Sequence, residues 1–340
     1  MVTLADVQSS NAQIATALPP GLVAVFVGAT NGIGETSLRE FARHARQPRV
    51  YFVGRSQEAG DRIAADCHEL NPEGEFIFIK ADVSLLNSVD EVCREIASKE
   101  KCINLLFLTC GSALSHLDTS EGLHIFMALA YYARARFILN LLPLLRQAPS
   151  LRRVVTVLAA GHEGPIYADD FQGRNVPLRH VRGHNVSMID LMLEHMASLA
   201  PEVSFVHDYP GPVKSGFGRE TNSVLMKIAI TIFKVVGPLV YIPLRESGER
   251  HLFFATSARY PPRSGSAAVG VPVSGNVVVS GGTCGDVGSG VYAVNWDGES
   301  AGAQSLQVLA KMRGEGMVAR LWQHTMTEFK RVTGLESLAT

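Results

Sequence analysis

Residues 28–34, Gly-Ala-Thr-Asn-Gly-Ile-Gly, carry the clearest chemistry in this chain. Gly28, Gly32 and Gly34 let a backbone approach a ligand closely. With Thr30, Asn31 and Ile33 between them they form a tight turn. The apolar run Val23 to Val27 precedes the turn, and a helix is predicted from Glu35 to Ala45. A glycine turn that opens a helix presents unpaired N–H groups and the positive end of a dipole, which suits a pyrophosphate. A second set of residues could move protons. His180 and His184 stand four apart, so they share one helical face. An imidazole titrates near neutrality and serves as acid or base. His162, Tyr167, Asp169 and Asp170 fall in the loop that leads to them. The alternative for the histidines is a basic surface loop of Arg179, His180, Arg182 and His184. A zinc pair of this spacing carries a glutamate between the histidines and a third ligand. Neither is evident, so no metal site is expected.

The elements that must position these residues follow a regular rhythm. Strands are predicted over 23–27, 49–54, 75–80, 103–109, 153–158 and 203–206. Helices are predicted over 35–45, 56–70, 88–100, 121–145 and 184–200. This alternation gives the fold class: α/β, a doubly wound parallel sheet covered on both faces. The last third is rich in Gly, Ser and Val. Val277 to Val279 and Val291 to Val294 read as strand-like pieces, suggesting a hairpin or an edge addition. Two helices, 305–313 and 317–332, close the chain. The expected organisation is an N-terminal segment over 1–20, a dinucleotide-binding core over 21–215, an apolar helical lid over 216–258 and a C-terminal extension over 259–340 that completes the same domain.

Composition limits the partners and the compartment. The chain has 340 residues, 46% of them hydrophobic, which is enough for a sizeable core, and its net charge is −1. Nothing there points to nucleic acid. Five scattered cysteines without a C-x-x-C fit reduced thiols and a cytoplasmic setting. No basic stretch followed by an apolar run marks a signal peptide before Pro20. The apolar segment Val224 to Pro243 is broken by Lys227, Lys234 and Gly237-Pro238. It reads as a helix pair covering an apolar pocket, with a membrane contact as the lesser reading.

The G-x-x-x-G-x-G spacing resembles the short-chain dehydrogenase/reductase family, over roughly residues 20–260. The resemblance implies a nicotinamide cofactor and an active site of Asn, Ser, Tyr and Lys. Gly54-Arg55-Ser56 follows the second strand with no carboxylate at the strand end. An arginine there suits the 2′-phosphate of NADP, so NADP(H) is expected. Asp82-Val83 resembles the family's acidic residue at the adenine, or else an ordinary helix cap. Gly111 keeps its place in Thr109-Cys110-Gly111. Pro210 and Gly211 match the family's Pro-Gly segment, which implies nicotinamide contacts at Val213 and Ser215.

The four reactive positions depart from the family. Ala159 stands at the serine and Ala130 near the asparagine. Counting back from Pro210 puts His180 at the tyrosine and His184 at the lysine. The candidate proton-transfer groups are therefore His180, His184, His162 and Tyr167. The departures resemble divergent fungal members of biosynthetic pathways. Three functions stay open: an NADP(H)-dependent oxidoreductase on a small apolar hydroxyl or carbonyl metabolite, a non-redox isomerase, cyclase or dehydratase on the same scaffold, and an inactive cofactor-binding protein. A homo-oligomer is compatible with each.

Overall fold

The computed structural model describes residues 1–112, 115, 117–213, 241–265 and 269–338. Helices α1 (Leu4–Ala12) and α2 (Ile14–Ala17) precede β1 (Val23–Val27), α3 (Gly32–His44), β2 (Arg49–Gly54), α4 (Gln57–Leu70), β3 (Glu75–Lys80) and α5 (Leu86–Lys99). Then come β4 (Leu105–Leu108), α6 (Ile125–Met127), a π-turn (Ala128–Tyr132), α7 (Ala133–Gln147), β5 (Arg153–Val157), α8 (Leu178–Leu199) and β6 (Ser204–Tyr209). The chain ends with α9 (Leu244–Thr256), β7 (Val291–Asn295), α10 (Ala303–Gly314) and α11 (Met317–Thr333).

Among the described residues the strands form one sheet in the order β3-β2-β1-β4-β5-β6-β7, every pair parallel. Strand side chains alternate between two apolar layers. Val23, Val25 and Val27 join the layer that holds Val89 of α5, Phe137 of α7 and Met188 of α8. Ala24 and Phe26 join the layer that holds Phe41 of α3, Ile63 of α4 and Phe253 of α9. The sheet is thus sandwiched, and the strands read as continuous apolar runs for that reason.

Several predicted elements take another form. α8 begins behind Pro177, six residues before the expected start. Gly183 lies within this added first part of α8 and is needed for packing: a Cβ there would stand 2.8 Å from the Gly164 Cα. The segment from Ile125 to Gln147 is long and apolar enough by composition to cross a membrane, yet 78% of its apolar window is buried, as a core helix would be. β7 is an edge addition beside β6, whereas 277–279 forms no strand; the Val278 carbonyl instead accepts from Arg259 Nη1 at 2.6 Å. The last part of the expected lid, α9, belongs to the core layer. Leu252, Phe253 and Phe254 are buried, and Gly248 lets α9 press on α3, where a Cβ would meet Thr36 Oγ1 at 2.7 Å. Residues 214–240, with Ser215 and most of the apolar segment, lie outside the described residues. The N-terminal segment is tied down by Val2 N–H, which donates to the Asp297 carbonyl at 3.0 Å.

Candidate functional site

The strand order reverses between β1 and β4. In open α/β sheets the crevice outside the carboxyl ends at such a switch point is where ligands bind. Both lips of this crevice are backbone. Gly28, with φ +81°, follows β1, and a Cβ there would stand 2.7 Å from the Cys110 nitrogen past β4. Gly32 also has positive φ, and a Cβ on Gly34 would meet Thr109 Oγ1 at 2.5 Å and the Gly28 carbonyl at 2.6 Å. Thr109 Oγ1 donates to this turn, with the Val27 and Gly28 carbonyls at 3.0 and 3.1 Å. The unusual threonine therefore braces the glycine turn. Asn31 is the N-cap of α3, and its side chain makes no capping bond, so the cap residue leaves the first turn open to an anion. Thr30 packs where a Gly54 side chain would stand, 2.3 Å from its methyl carbon, which seats the turn on the end of β2. Ile33 is partly buried against the α3-side layer. These residues fit a dinucleotide: the cradle has room for backbone and none for side chains.

The other cofactor candidates lie around the same edge. Arg55 is exposed just past β2. Asp82 accepts from Ser84 N–H at 3.0 Å and Ser84 Oγ at 2.8 Å, closing a turn beside buried Val83. It does not cap α5. That cap comes from Glu121, whose carboxylate accepts from Leu86 N–H at 2.6 Å and Asn87 N–H at 3.0 Å. Gly111 stands open past β4. Beyond β6, Pro210 leads to Gly211 at φ +70°, where a Cβ would strike Ile242 at 2.6 Å. Val213 bridges to Ile242, so this loop is tied to the entry of α9.

The chemistry half lies at the ends of β5 and β6 and the start of α8. Because α8 follows β5 and runs back toward the start of β6, its first turns stand on the carboxyl edge. Ala159 is buried at the end of β5, and Ala130 is buried inside the π-turn. Such turns occur often at functional sites. His162 is exposed, its ring edge-on to Tyr209 at 4.9 Å, and Arg182 lies 5.1 Å over the same Tyr209 ring.

Tyr167 and His180 form a pair, Oη to Nδ1 at 2.5 Å. Arg179 Nε–H donates to His180 Nε2 at 3.2 Å, which makes Nε2 an acceptor. A neutral His180 then carries its proton on Nδ1 and donates it to Tyr167. The phenol proton is left over, available to another acceptor. His184 is held differently from the proton-transfer group expected at this position. Its Nδ1 accepts Tyr167 N–H at 3.1 Å, so Nε2–H donates to the Phe171 carbonyl at 3.2 Å. It is fully buried, and burial lowers its pKa. Both nitrogens are used in holding the 167–171 loop, so His184 positions Tyr167 and has no free proton site.

The sequence reading missed a buried network beneath this loop. His207 Nε2 accepts Ala159 N–H at 3.4 Å, so Nδ1–H donates to Asp190 Oδ1 at 2.8 Å. Asp190 lies beside Glu163, where Asp190 Oδ2 and Glu163 Oε2 are both buried with no other partner, and the second Glu163 oxygen accepts Gly161 N–H at 2.8 Å. Burial pushes the Asp190 carboxyl well up and His207 down to about 4. Asp190 is thus an acid that gives its proton to Glu163, and His207 is neutral. Arg134 is buried nearby, its guanidinium donating to the Leu108, Cys110 and Thr156 oxygens across the ends of β4 and β5. His and Asp at 207–208 inside an otherwise apolar strand were the signal the sequence did hold.

Residues 22–146 match the family model described as short chain dehydrogenase. An oxidoreductase of Emericella nidulans is 40% identical, spanning 96% of this chain and 97% of its own. A short-chain dehydrogenase/reductase of Stachybotrys chartarum is 30% identical over 91% of this chain and 92% of its own. Among solved structures, the RhlG/NADP complex of Pseudomonas aeruginosa shares the fold at TM-score 0.52 and 18% identity, covering 77% of this chain and 98% of that one. Likeness along nine-tenths of two chains, on a sheet of this order with this glycine turn at its switch point, makes the protein a member of the short-chain dehydrogenase/reductase family and an oxidoreductase of that type.

Proposed function

We propose that the protein interconverts a hydroxyl and a carbonyl group on a small apolar metabolite with NADP(H), with Tyr167 as its proton donor and His180 as the partner of Tyr167. The observation that carries this reading is the Tyr167–His180 contact at 2.5 Å on the carboxyl edge, in the tautomer that Arg179 imposes. Bound NADP(H) would supply the hydride. The turn at Gly28, Thr30, Asn31, Gly32, Ile33 and Gly34 would hold its pyrophosphate, and Arg55 its 2′-phosphate.

The protein's own groups handle the proton. When Tyr167 gives its hydroxyl proton to the substrate oxygen, the phenolate left behind accepts the His180 Nδ1–H, and the Arg179 guanidinium stands on the far side of that ring. His184 fixes the backbone of Tyr167, so the donor is held before substrate arrives. In this scheme the side chains of Ala159 and Ala130 have no role. Apolar character of the substrate is supported by the sequence of 224–243, and a role in fungal secondary metabolism by the resemblance noted above.

The test is incubation with NADPH deuterated at C4 and a panel of apolar ketones and aldehydes. Deuterium should appear on the carbinol carbon of the product by mass spectrometry. Consumption of a substrate without label transfer would sink the redox reading.

A further inference from the structure

A second cluster lies on the opposite side of the fold, where α3 ends and packs on α9. Glu40 and His44 are one helical turn apart on α3, and Glu249 faces them from α9. His44 Nε2 stands 3.8 Å from Glu40 Oε2 and 3.9 Å from Glu249 Oε2, and one donor atom from each of the three residues lies within 4.8 Å of the others. Both carboxylates are about 5% exposed. Two buried carboxylates side by side are unfavourable without a cation between them. Arg43 Nε reaches Glu40 Oε2 at 3.3 Å from a half-exposed side chain, which leaves the inner face of the pair uncompensated.

The hydrogen bonding makes the same point independently. Glu40 Oε2 and His44 Nε2 are buried without a hydrogen-bond partner. Asn11, fully buried, reaches in from α1 and donates Nδ2 to Glu249 Oε2 at 2.7 Å and to the Glu249 carbonyl at 2.9 Å. The other branch of that amide, Oδ1, is also buried without a partner. Unpaired buried acceptors of this kind are rare and call for an explanation.

We propose that Glu40, His44 and Glu249 hold a divalent cation of the zinc class, with Asn11 Oδ1 or a water as the remaining ligand. One imidazole with two carboxylates suits Zn²⁺, Co²⁺ or Mn²⁺ better than Mg²⁺, which keeps an all-oxygen shell. Tetrahedral ligands on bonds of roughly 2.1 Å are roughly 3.4 Å apart, so the observed spacings need only a small contraction. His44 is the partly exposed member and marks the entry side. The ion would staple the N-terminal helix to the α3–α9 layer, away from the carboxyl edge.

The test uses the full chain, stripped with EDTA and titrated with ZnCl₂ by calorimetry, with CoCl₂ absorption as a second probe. One equivalent should bind and raise the thermal midpoint. Glu40→Gln and His44→Ala should each weaken binding at least a hundredfold and abolish that rise, and circular dichroism checks that both variants fold. Should either variant fail to fold, Glu249→Gln takes its place. Zn²⁺ bound no more tightly by the wild type than by a folded variant would overturn the site.

Discussion

The two halves of the carboxyl edge are built on different principles. The half under β1 and β4 is made of backbone: Gly28, Gly32 and Gly34 matter because they lack side chains, and Thr109 only braces their carbonyls. The half past β5 is made of side chains, each fixed by a specific hydrogen-bond partner. His184 spends both nitrogens on the loop, His180 takes its tautomer from Arg179, and Asp190 holds a proton between His207 and Glu163. The first half tolerates nothing added and the second nothing removed. Damage to the first should appear in cofactor binding, and damage to the second in rate or in stability.

The largest expected effect tests that division directly. Tyr167→Phe should cut turnover by about 10²–10⁴, the usual value of a positioned acid, with cofactor affinity unchanged. His180→Ala should do the same to a lesser degree. Steady-state kinetics beside a cofactor titration separates the two. An unchanged rate in Tyr167→Phe would assign the pair to structure.

Asp190 comes next. Asp190→Ala strands the His207 Nδ1–H and the Glu163 carboxylate in the interior, at roughly 2–5 kcal/mol of stability. Asp190→Asn keeps an acceptor for His207 and a donor for Glu163 and should cost about 1 kcal/mol or less. Urea unfolding gives both values, and equal losses would contradict a protonated Asp190. The same pair of proteins carries a pH signature. The folded Asp190 carboxyl keeps its proton above the usual carboxylate range, so its contribution is complete below that range and is lost as pH rises through the folded value. Raising the pH should destabilise the wild type relative to Asp190→Asn, while the depressed His207 affects both alike.

Gly28→Ala belongs to the other half. A side chain at φ +81° that also meets the Cys110 backbone should cost about 1–3 kcal/mol. It should appear as cofactor affinity weakened about tenfold or more, with turnover at saturating cofactor retained. The smallest effect is expected at Arg55. Arg55→Ala should lower the preference for NADP(H) over NAD(H) by about tenfold, because one phosphate partner is lost and the cradle is untouched. Equal affinities for the two cofactors in the wild type would remove the assignment.

Much of this molecule is legible in its residues taken in order. The strand–turn–helix at 23–44, the βα rhythm of a parallel sheet, the buried long helix and the alanines at 130 and 159 are all local features. They are legible because chain periodicity and missing side chains constrain the backbone within a few residues. Packing decided the rest. Position 183 admits only glycine within α8 because Gly164 presses on it, and α9 packs as a core helix because Gly248 admits α3. The histidines at 180 and 184 share a helical spacing but not a role, since a tautomer is set by the partner of the second ring nitrogen, and those partners lie 1, 13 and 17 residues away. Asp190 meets His207 17 residues on, and Glu249 meets Asn11 across 238. No local pattern encodes such pairings, because a hydrogen-bond partner or a buried charge state exists only once distant segments have excluded water around it.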